Sequence, residues 1–293
     1  MPTHRLIEVA VQNIMDRSLP EGGFSMFAHE SYRPDATAWA IMAMKAVPGD
    51  QELAIAACRQ LSRSQLSDGR VPVIEDYPKS YWPTSLSLLA WKTVNGFERE
   101  KKLATKFLLA TKGEHWPRQE GSPLAHDTSI IGWPWIENAH SWIEPTSMAI
   151  LSLKVCGYFE DSRVLEAKRM ILDRQLVPGG WNYGNTRVFG ATLRPGPACT
   201  GQALSALSGI TESKGVELSL DYLRNQIKRL NTPLALSWAI FGLTAWSYKS
   251  PETRRLILDS LSLQKKYGIY DTTLLSQLVI AYMTFGDLLS IFL

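Results

Sequence analysis

Two kinds of hydrophobic pattern alternate along the chain, and one of them recurs six times in register. Aligned on Thr37, Thr84, Thr146, Thr200, Leu236 and Thr273, the residue three positions on is always small: Ala40, Ser87, Ala149, Ala203, Ala239 and Ser276. Six on stand Ala43, Ala90, Ser152, Ala206, Gly242 and Val279, and seven on a bulky apolar residue: Met44, Trp91, Leu153, Leu207, Leu243 and Ile280. The tenth position is apolar in every copy, from Val47 to Met283. At helical periodicity these offsets form a stripe of small residues beside a stripe of large ones, which predicts six helices that pack closely on their own kind. Between them, residues 4–17, 51–65, 98–111, 162–175, 214–229 and 252–264 are charged, with apolar positions at three- and four-residue spacing, the pattern of surface helices.

Six hairpins, each with one polar and one apolar member, close most economically as two concentric rings with the apolar helices inside. The predicted fold is therefore all-α, an α6/α6 toroid forming one domain over residues 1–293. The early repeats carry insertions at about 66–83, 112–145 and 180–198, and the last two are lean.

A second repeat marks the ends of the surface helices. Ser18–Phe24 reads SLPEGGF, Gln65–Val71 QLSDGRV, Gln175–Trp181 QLVPGGW and Gln264–Tyr270 QKKYGIY. Glycine supplies positive backbone dihedrals at a helix stop, and the closing apolar residue folds back on the turn. This pattern resembles the glutamine and tryptophan repeat of the squalene cyclase, oxidosqualene cyclase and protein prenyltransferase superfamily. The likeness runs over essentially the whole chain and is most specific at Gln175, Gly179, Gly180 and Trp181. It implies a structural role for the turns and a cavity inside the ring.

Composition narrows the functional classes. Lys and Arg number 31 against 28 Asp and Glu, with no basic run, so nothing points to nucleic acid. Three scattered cysteines, Cys58, Cys156 and Cys199, make no disulfide framework and suit a reducing cytoplasm. Glu8, Gln12 and Asp16 interrupt the first helix, so no signal peptide is expected, and no apolar stretch approaches the roughly 20 residues of a membrane span. The apolar end Leu288–Leu293 reads as packing of the last helix, with peripheral membrane contact as the alternative. Homo-oligomer or partner protein is left open.

Candidate chemistry concentrates in the insertions. The loops running into the apolar helices hold Trp82, Trp116, Trp133, Trp135, Trp142 and Trp181, with Tyr32, Tyr77, Tyr81 and Tyr183 and with His29, His115, His126 and His140. Because all six apolar helices begin at one end of a toroid, these loops are expected over one mouth. Massed rings there suit an apolar or cationic guest, with anchoring of long loops as the plainer alternative. Trp39, Trp82, Trp133, Trp135, Trp142, Trp181, Tyr183, Arg33 and Arg194 are the expected substrate-binding residues.

Four residues are candidates for catalysis. Class II terpene cyclases of the superfamily carry Asp-x-Asp-Asp-Thr-Ala at an inner-helix start, the middle Asp donating the proton. Arg33-Pro34-Asp35-Ala36-Thr37-Ala38 stands at such a start, so the resemblance implies Asp35 as donor, although Arg33 and Ala36 replace the flanking aspartates. An adjacent arginine favours the carboxylate instead, and Asp35 also reads as a helix cap. Glu144, before Pro145 and among Trp133, Trp135 and Trp142, is the rival acid, since desolvation keeps a carboxyl protonated. Its alternative role is likewise a helix cap. Asp127 and His140 complete the set.

No cofactor is expected. Zinc, which the prenyltransferase branch binds through Asp, Cys and His, would draw on Cys199, His126, Asp127 and His140, but no tight ligand pair is present. Three functions follow as expectations: a squalene-cyclase-like isomerase or lyase performing acid-initiated cyclisation of an isoprenoid smaller than C30, a prenyltransferase-like enzyme whose arginines hold a diphosphate, and a noncatalytic toroid binding a ligand or partner.

Overall fold

The computed structural model describes residues 3–49 and 51–293 and is mostly helical. The six apolar helices are α2 (Pro34–Ala46), α4 (Pro83–Lys92), α6 (Ile143–Val155), α8 (Pro197–Leu207), α10 (Pro233–Thr244) and α13 (Thr272–Met283). The amphipathic ones are α1 (Thr3–Met15), α3 (Gln51–Arg63), α5 (Glu98–Ala110), α7 (Ser162–Asp173), α9 (Glu217–Gln226) and α11 (Thr253–Ser262), with a four-residue α12 (Gln264–Tyr267) at the last turn. Each apolar helix touches the next along the chain, and α13 returns to α2, so their contacts form a closed cycle. The amphipathic helices pack outside it: α3 contacts α2 and α4, α9 contacts α8 and α10, and α1 contacts α11 and α13.

Small residues on the apolar helices, Gly242 of the stripe and Gly201 beside the anchor Thr200, allow close approach. A Cβ at Gly201 on α8 would collide with the Trp238 carbonyl of α10, and Gly242 on α10 lies against Gly201 in return. The aligned threonines have a separate task. The loop residue that closes each of the first turns donates its backbone N–H to the threonine of the following apolar helix: Phe24 to Thr37 (2.8 Å), Val71 to Thr84 (3.0 Å), Trp133 to Thr146 (2.9 Å) and Trp181 to Thr200 (3.0 Å). These hydroxyls are fully buried, so each staple satisfies a backbone group that would otherwise be lost to solvent and unpaired. The turn glycines are equally specific, since Cβ atoms at Gly69 and Gly179, both at positive φ, would run into the carbonyls of Leu103 and Leu218 on the next outer helix.

Two local features depart from the sequence reading. The 180–198 insertion contains a two-stranded antiparallel ribbon pairing Arg187–Val188 with Ala191–Thr192. The stretch read as 214–229 is a shorter helix, α9, flanked by 3-10 turns at Ser213–Gly215 and Ile227–Arg229. At the end of the chain, Leu288 and Ile291 are buried in a 3-10 turn while Leu293 is exposed. Among the described residues no helix is long and apolar enough to cross a membrane.

Candidate active site

The starts of the apolar helices surround a cavity of about 230 Å³. Its lining follows the repeat register. Two residues before the anchors stand Asp35, Trp82, Glu144, Leu234 and Asp271, and two after stand Trp39, Leu86, Met148, Gln202 and Trp238, all of which line it. Positions four apart are stacked on one helix face, so α2, α4, α6 and α10 each offer the cavity two successive turns at their starts, while α8 offers Gln202 alone. The sixth helix adds Leu274 and Gln277, and Met26, Trp135 and Pro145 complete most of the wall.

Four indoles thus face the cavity. Trp39 meets Trp238 edge-on at 5.9 Å between ring centres, and Trp82 meets Trp135 likewise at 5.9 Å. The second pair exists because the first and second insertions join: Tyr81 N–H donates to the Trp135 carbonyl at 2.8 Å, and Glu137 N–H to that of Lys79 at 2.8 Å.

Three carboxyl groups share this space in different settings. Asp35 is the second residue of α2 and receives a bidentate ion pair from Arg33, Nε to Oδ1 at 2.9 Å and Nη2 to Oδ2 at 2.8 Å. Arg33 occupies the N-cap position and no side chain caps α2, so Asp35 is not the cap. Glu144 is likewise the second residue of α6, a helix with no side-chain cap. Burial pushes its pKa up from 4.5 to about 7, opposed by a hydrogen bond from Gln202. Asp271 is a true N-cap, accepting Leu274 N–H at 2.8 Å, and burial raises its pKa against the pull of that bond and of Arg17.

Several residues expected here lie elsewhere. Trp133 and Trp181 are fully buried pegs whose indole N–H groups donate to Leu108 and Ile171 on the outer helices. Trp181 is carried behind the apolar ring by its place at the end of the turn repeat, and Trp133 by the bond from its backbone N–H to Thr146. Trp142 occupies the N-cap position of α6 beside His140, and Tyr183 is 67% exposed. Arg194 is exposed, while Arg33 is engaged by Asp35. Asp127 closes a loop turn, accepting from Ser129 N and Oγ, which hold its carboxyl below the usual range.

His140 lies outside the cavity too. It stacks on Trp116 at 4.7 Å and bonds the Glu114 carbonyl and the Arg174 guanidinium, part of a histidine cluster that packs the second insertion. Burial lowers the pKa of His115, His126 and His140. Among the described residues no three His, Cys, Asp or Glu side chains are placed to hold a metal ion, and Cys199 is buried with its thiol pushed up to about 12. The donor set does not fit zinc.

Sequence reading missed Asp271, Trp238, Gln202 and Gln277. The signal for the first three was present: they occupy the offsets from the anchor already held by Glu144 and Trp39.

No family model and no curated protein matches the sequence. Solved structures do match in fold. A protein from Actinoplanes aligns with a TM-score of 0.66 at 12% identity, covering 98% of this chain and 99% of its own. The type II terpene cyclase MstE from Scytonema gives 0.66 at 12% identity over 99% of this chain and 98% of its own, and a variant of it in complex with geranylgeranyl dihydroxybenzoate gives 0.63. A glycosidase variant in complex with glucose aligns at 0.61 and 11% identity, covering 99% and 97%. At these identities the likeness establishes the fold alone.

Proposed function

We propose that this α6/α6 toroid is a terpene-cyclase-like enzyme that isomerises an isoprenoid by acid-initiated ring closure. The observation that carries the reading is Glu144: a carboxyl raised to about 7 by burial, in the wall of a cavity whose apolar lining is built mainly of indoles, methionines and leucines. A protonated carboxyl there transfers its proton to a substrate alkene carbon, leaving the carboxylate and a carbocation. A second double bond attacks the cation and closes the ring. Loss of a proton to a carboxylate of the wall restores neutrality, so the product is an isomer of the substrate. The faces of Trp39, Trp82, Trp135 and Trp238 attract the passing positive charge and exclude water.

Asp35 is the poorer donor, because both its oxygens already accept from Arg33. Paired with Arg33, it is a buried part of the cavity wall. Size favours a short guest: ligand pockets commonly span about 300–1,000 Å³, and 230 Å³ suits an isoprenoid well below C30. The transferase alternative draws no support from the arginines, since Arg33 is paired and Arg194 lies away from the cavity.

Glycoside hydrolysis is the competing chemistry on this fold, and it too needs paired carboxyls. Met26, Leu86, Met148, Leu234 and Leu274, with the four indoles, make the wall more apolar than polar, which favours the apolar guest. The test is incubation with acyclic C10, C15 and C20 polyprenyl substrates in deuterium oxide, followed by mass spectrometry. A cyclic isomer carrying one non-exchangeable deuteron is expected from the active substrate. Recovery of every polyene unchanged, with release of sugar from aryl glycosides, would overturn the reading.

A further inference from the structure

An acid-initiated ring closure needs one group that gives a proton and one that takes a proton from the cyclised cation, and ring closure separates the two events in space. Protonation of an alkene puts positive charge on the neighbouring carbon, and attack by a second double bond of the same chain moves that charge several bonds away. The carboxylate left on Glu144 then lies beside carbons that are already saturated, so the terminating base has to stand where the charge arrives. The cycle of apolar helices puts a carboxyl there. In the contact order α2, α4, α6, α8, α10, α13 and back to α2, the starts of α6 and α13 are three steps apart in a ring of six, so Glu144 and Asp271 face one cavity from opposite sides.

The other polar groups of the wall do not suit the task. Asp35 is buried with both oxygens held by Arg33. Gln202 and Gln277 carry amides, which are not bases, and their carbonyl oxygens are buried without a donor. No Lys or His is among the lining residues. Asp271 differs on each count. It is half-buried and lines the cavity, and the bond from Leu274 N–H to Oδ1 at 2.8 Å fixes its carboxylate at the start of α13. Arg17 is turned to the carbonyls of Met26 and Tyr270 and to the Thr272 hydroxyl, so it makes no fork of the kind that ties up Asp35. Burial, with a smaller push from Asp35, raises the pKa of Asp271 and makes its carboxylate a stronger base, while the Leu274 amide and the charge of Arg17 favour the ionised form that a base needs.

We infer that Asp271 is the terminating base, its carboxylate taking a proton from a carbon next to the cyclised cation after Glu144, across the cavity, has supplied the first. This assignment rests on the cyclase reading of the cavity. The electron pair of the broken C–H bond becomes the new double bond, Glu144 ends as a carboxylate and Asp271 as an acid, and the substrate has gained one proton and lost one. Water that enters as the product leaves takes the proton from Asp271 and returns one to Glu144, so no further reactant is consumed. Because the base stands at one fixed place, it also selects which neighbouring hydrogen is lost and therefore which alkene isomer emerges.

The test compares the native protein with Asp271→Asn and Asp271→Ser, incubated in deuterium oxide with the acyclic C10, C15 and C20 polyprenyl substrates. Asn and Ser cap a helix about as well as Asp, so both variants are expected to fold, as checked by circular dichroism, and neither carries a base. Each is expected to form the native cyclic alkene at least about 100-fold more slowly. In its place other alkene isomers are expected, with cyclic alcohols formed when water adds to the cation and loses its own proton to solvent, all still carrying one deuteron from Glu144. The native rate is expected to rise with pH above 3.8 as Asp271 ionises and to fall above about 7 as Glu144 does, and the variants are expected to keep only the fall. Loss of a purely structural N-cap would change neither the identity of the product nor the acid limb. The native product and the native pH profile from a folded variant overturn the assignment alone, and a native profile with no acid limb overturns it whether or not the variants fold. Absence of any cyclic product from the native protein removes the cyclase reading and this assignment with it.

Discussion

Replacing Glu144 by Gln separates a buried catalytic acid from an ordinary helix-start glutamate through stability as well as turnover. The carboxyl has its pKa raised from 4.5 to about 7, so the folded protein holds a proton that the unfolded chain releases. An acid raised in this way costs nothing below about pH 4.5, destabilises progressively as pH rises to about 7, and costs a constant amount above. At about 1.36 kcal/mol per pH unit the difference between 4.5 and about 7 amounts to about 3 kcal/mol, an upper bound. Partial exposure of Glu144 to the cavity reduces this to about 1–2 kcal/mol. The Gln amide retains the shape, carries no charge and can still accept from Gln202. The variant is therefore expected to match the native protein at pH 4.5 and exceed it by about 1–2 kcal/mol at pH 8, about 2–8 °C in melting temperature for a chain of this size. Urea unfolding and thermal melts of both proteins at each pH measure it, and titrations common to the two cancel in the difference. A stability difference that does not change between pH 4.5 and 8 would show that Glu144 is not desolvated. The same variant is expected to lose cyclisation, since an amide has no proton to give an alkene, and retained turnover would move the proton donor to another group.

Further outcomes follow from the packing. Arg33→Met leaves the Asp35 carboxylate with its oxygens unpaired in a partly buried site and is expected to cost about 1–3 kcal/mol, most of which Asp35→Asn in the same chain restores; a double-mutant cycle in urea with no coupling would contradict this. Thr146→Val removes the acceptor from the buried Trp133 N–H and is expected to destabilise by about 1–3 kcal/mol, with local exchange of that amide accelerated in hydrogen–deuterium measurements. Gly201→Ala drives a methyl group into the Trp238 carbonyl and is expected to cost at least about 1–3 kcal/mol by separating α8 from α10, while an unchanged urea midpoint would mean that these helices are not in contact.

Much of the architecture was legible because the repeat acts locally. Helical periodicity, the small-residue stripe and the glycine turns each constrain a few neighbouring residues, and six copies in register leave little freedom in how such helices associate. The carboxyls at Asp35 and Glu144 were legible for the same reason, sitting at one offset from their anchors. Asp271 shares that offset, yet its sequence neighbours give no hint of an acid in an aromatic pocket, since the indoles that desolvate the cavity come from other helices.

The loops were legible only as aromatic-rich. Trp133 and Trp135 are two residues apart, and one is a buried peg against α5 while the other faces the cavity, a division made by the Thr146 staple and by pairing of the first two insertions. His140 and Asp127, near Glu144 in sequence, are drawn instead to Arg174 and Ser129. Sequence by itself determined the helices, their amphipathic faces and the offset at which side chains turn inward, because those depend on short-range periodicity. Only the tertiary structure decided which carboxyl is desolvated, which arginine is already bound and which amide oxygens lack a donor, because those depend on groups brought together from distant parts of the chain.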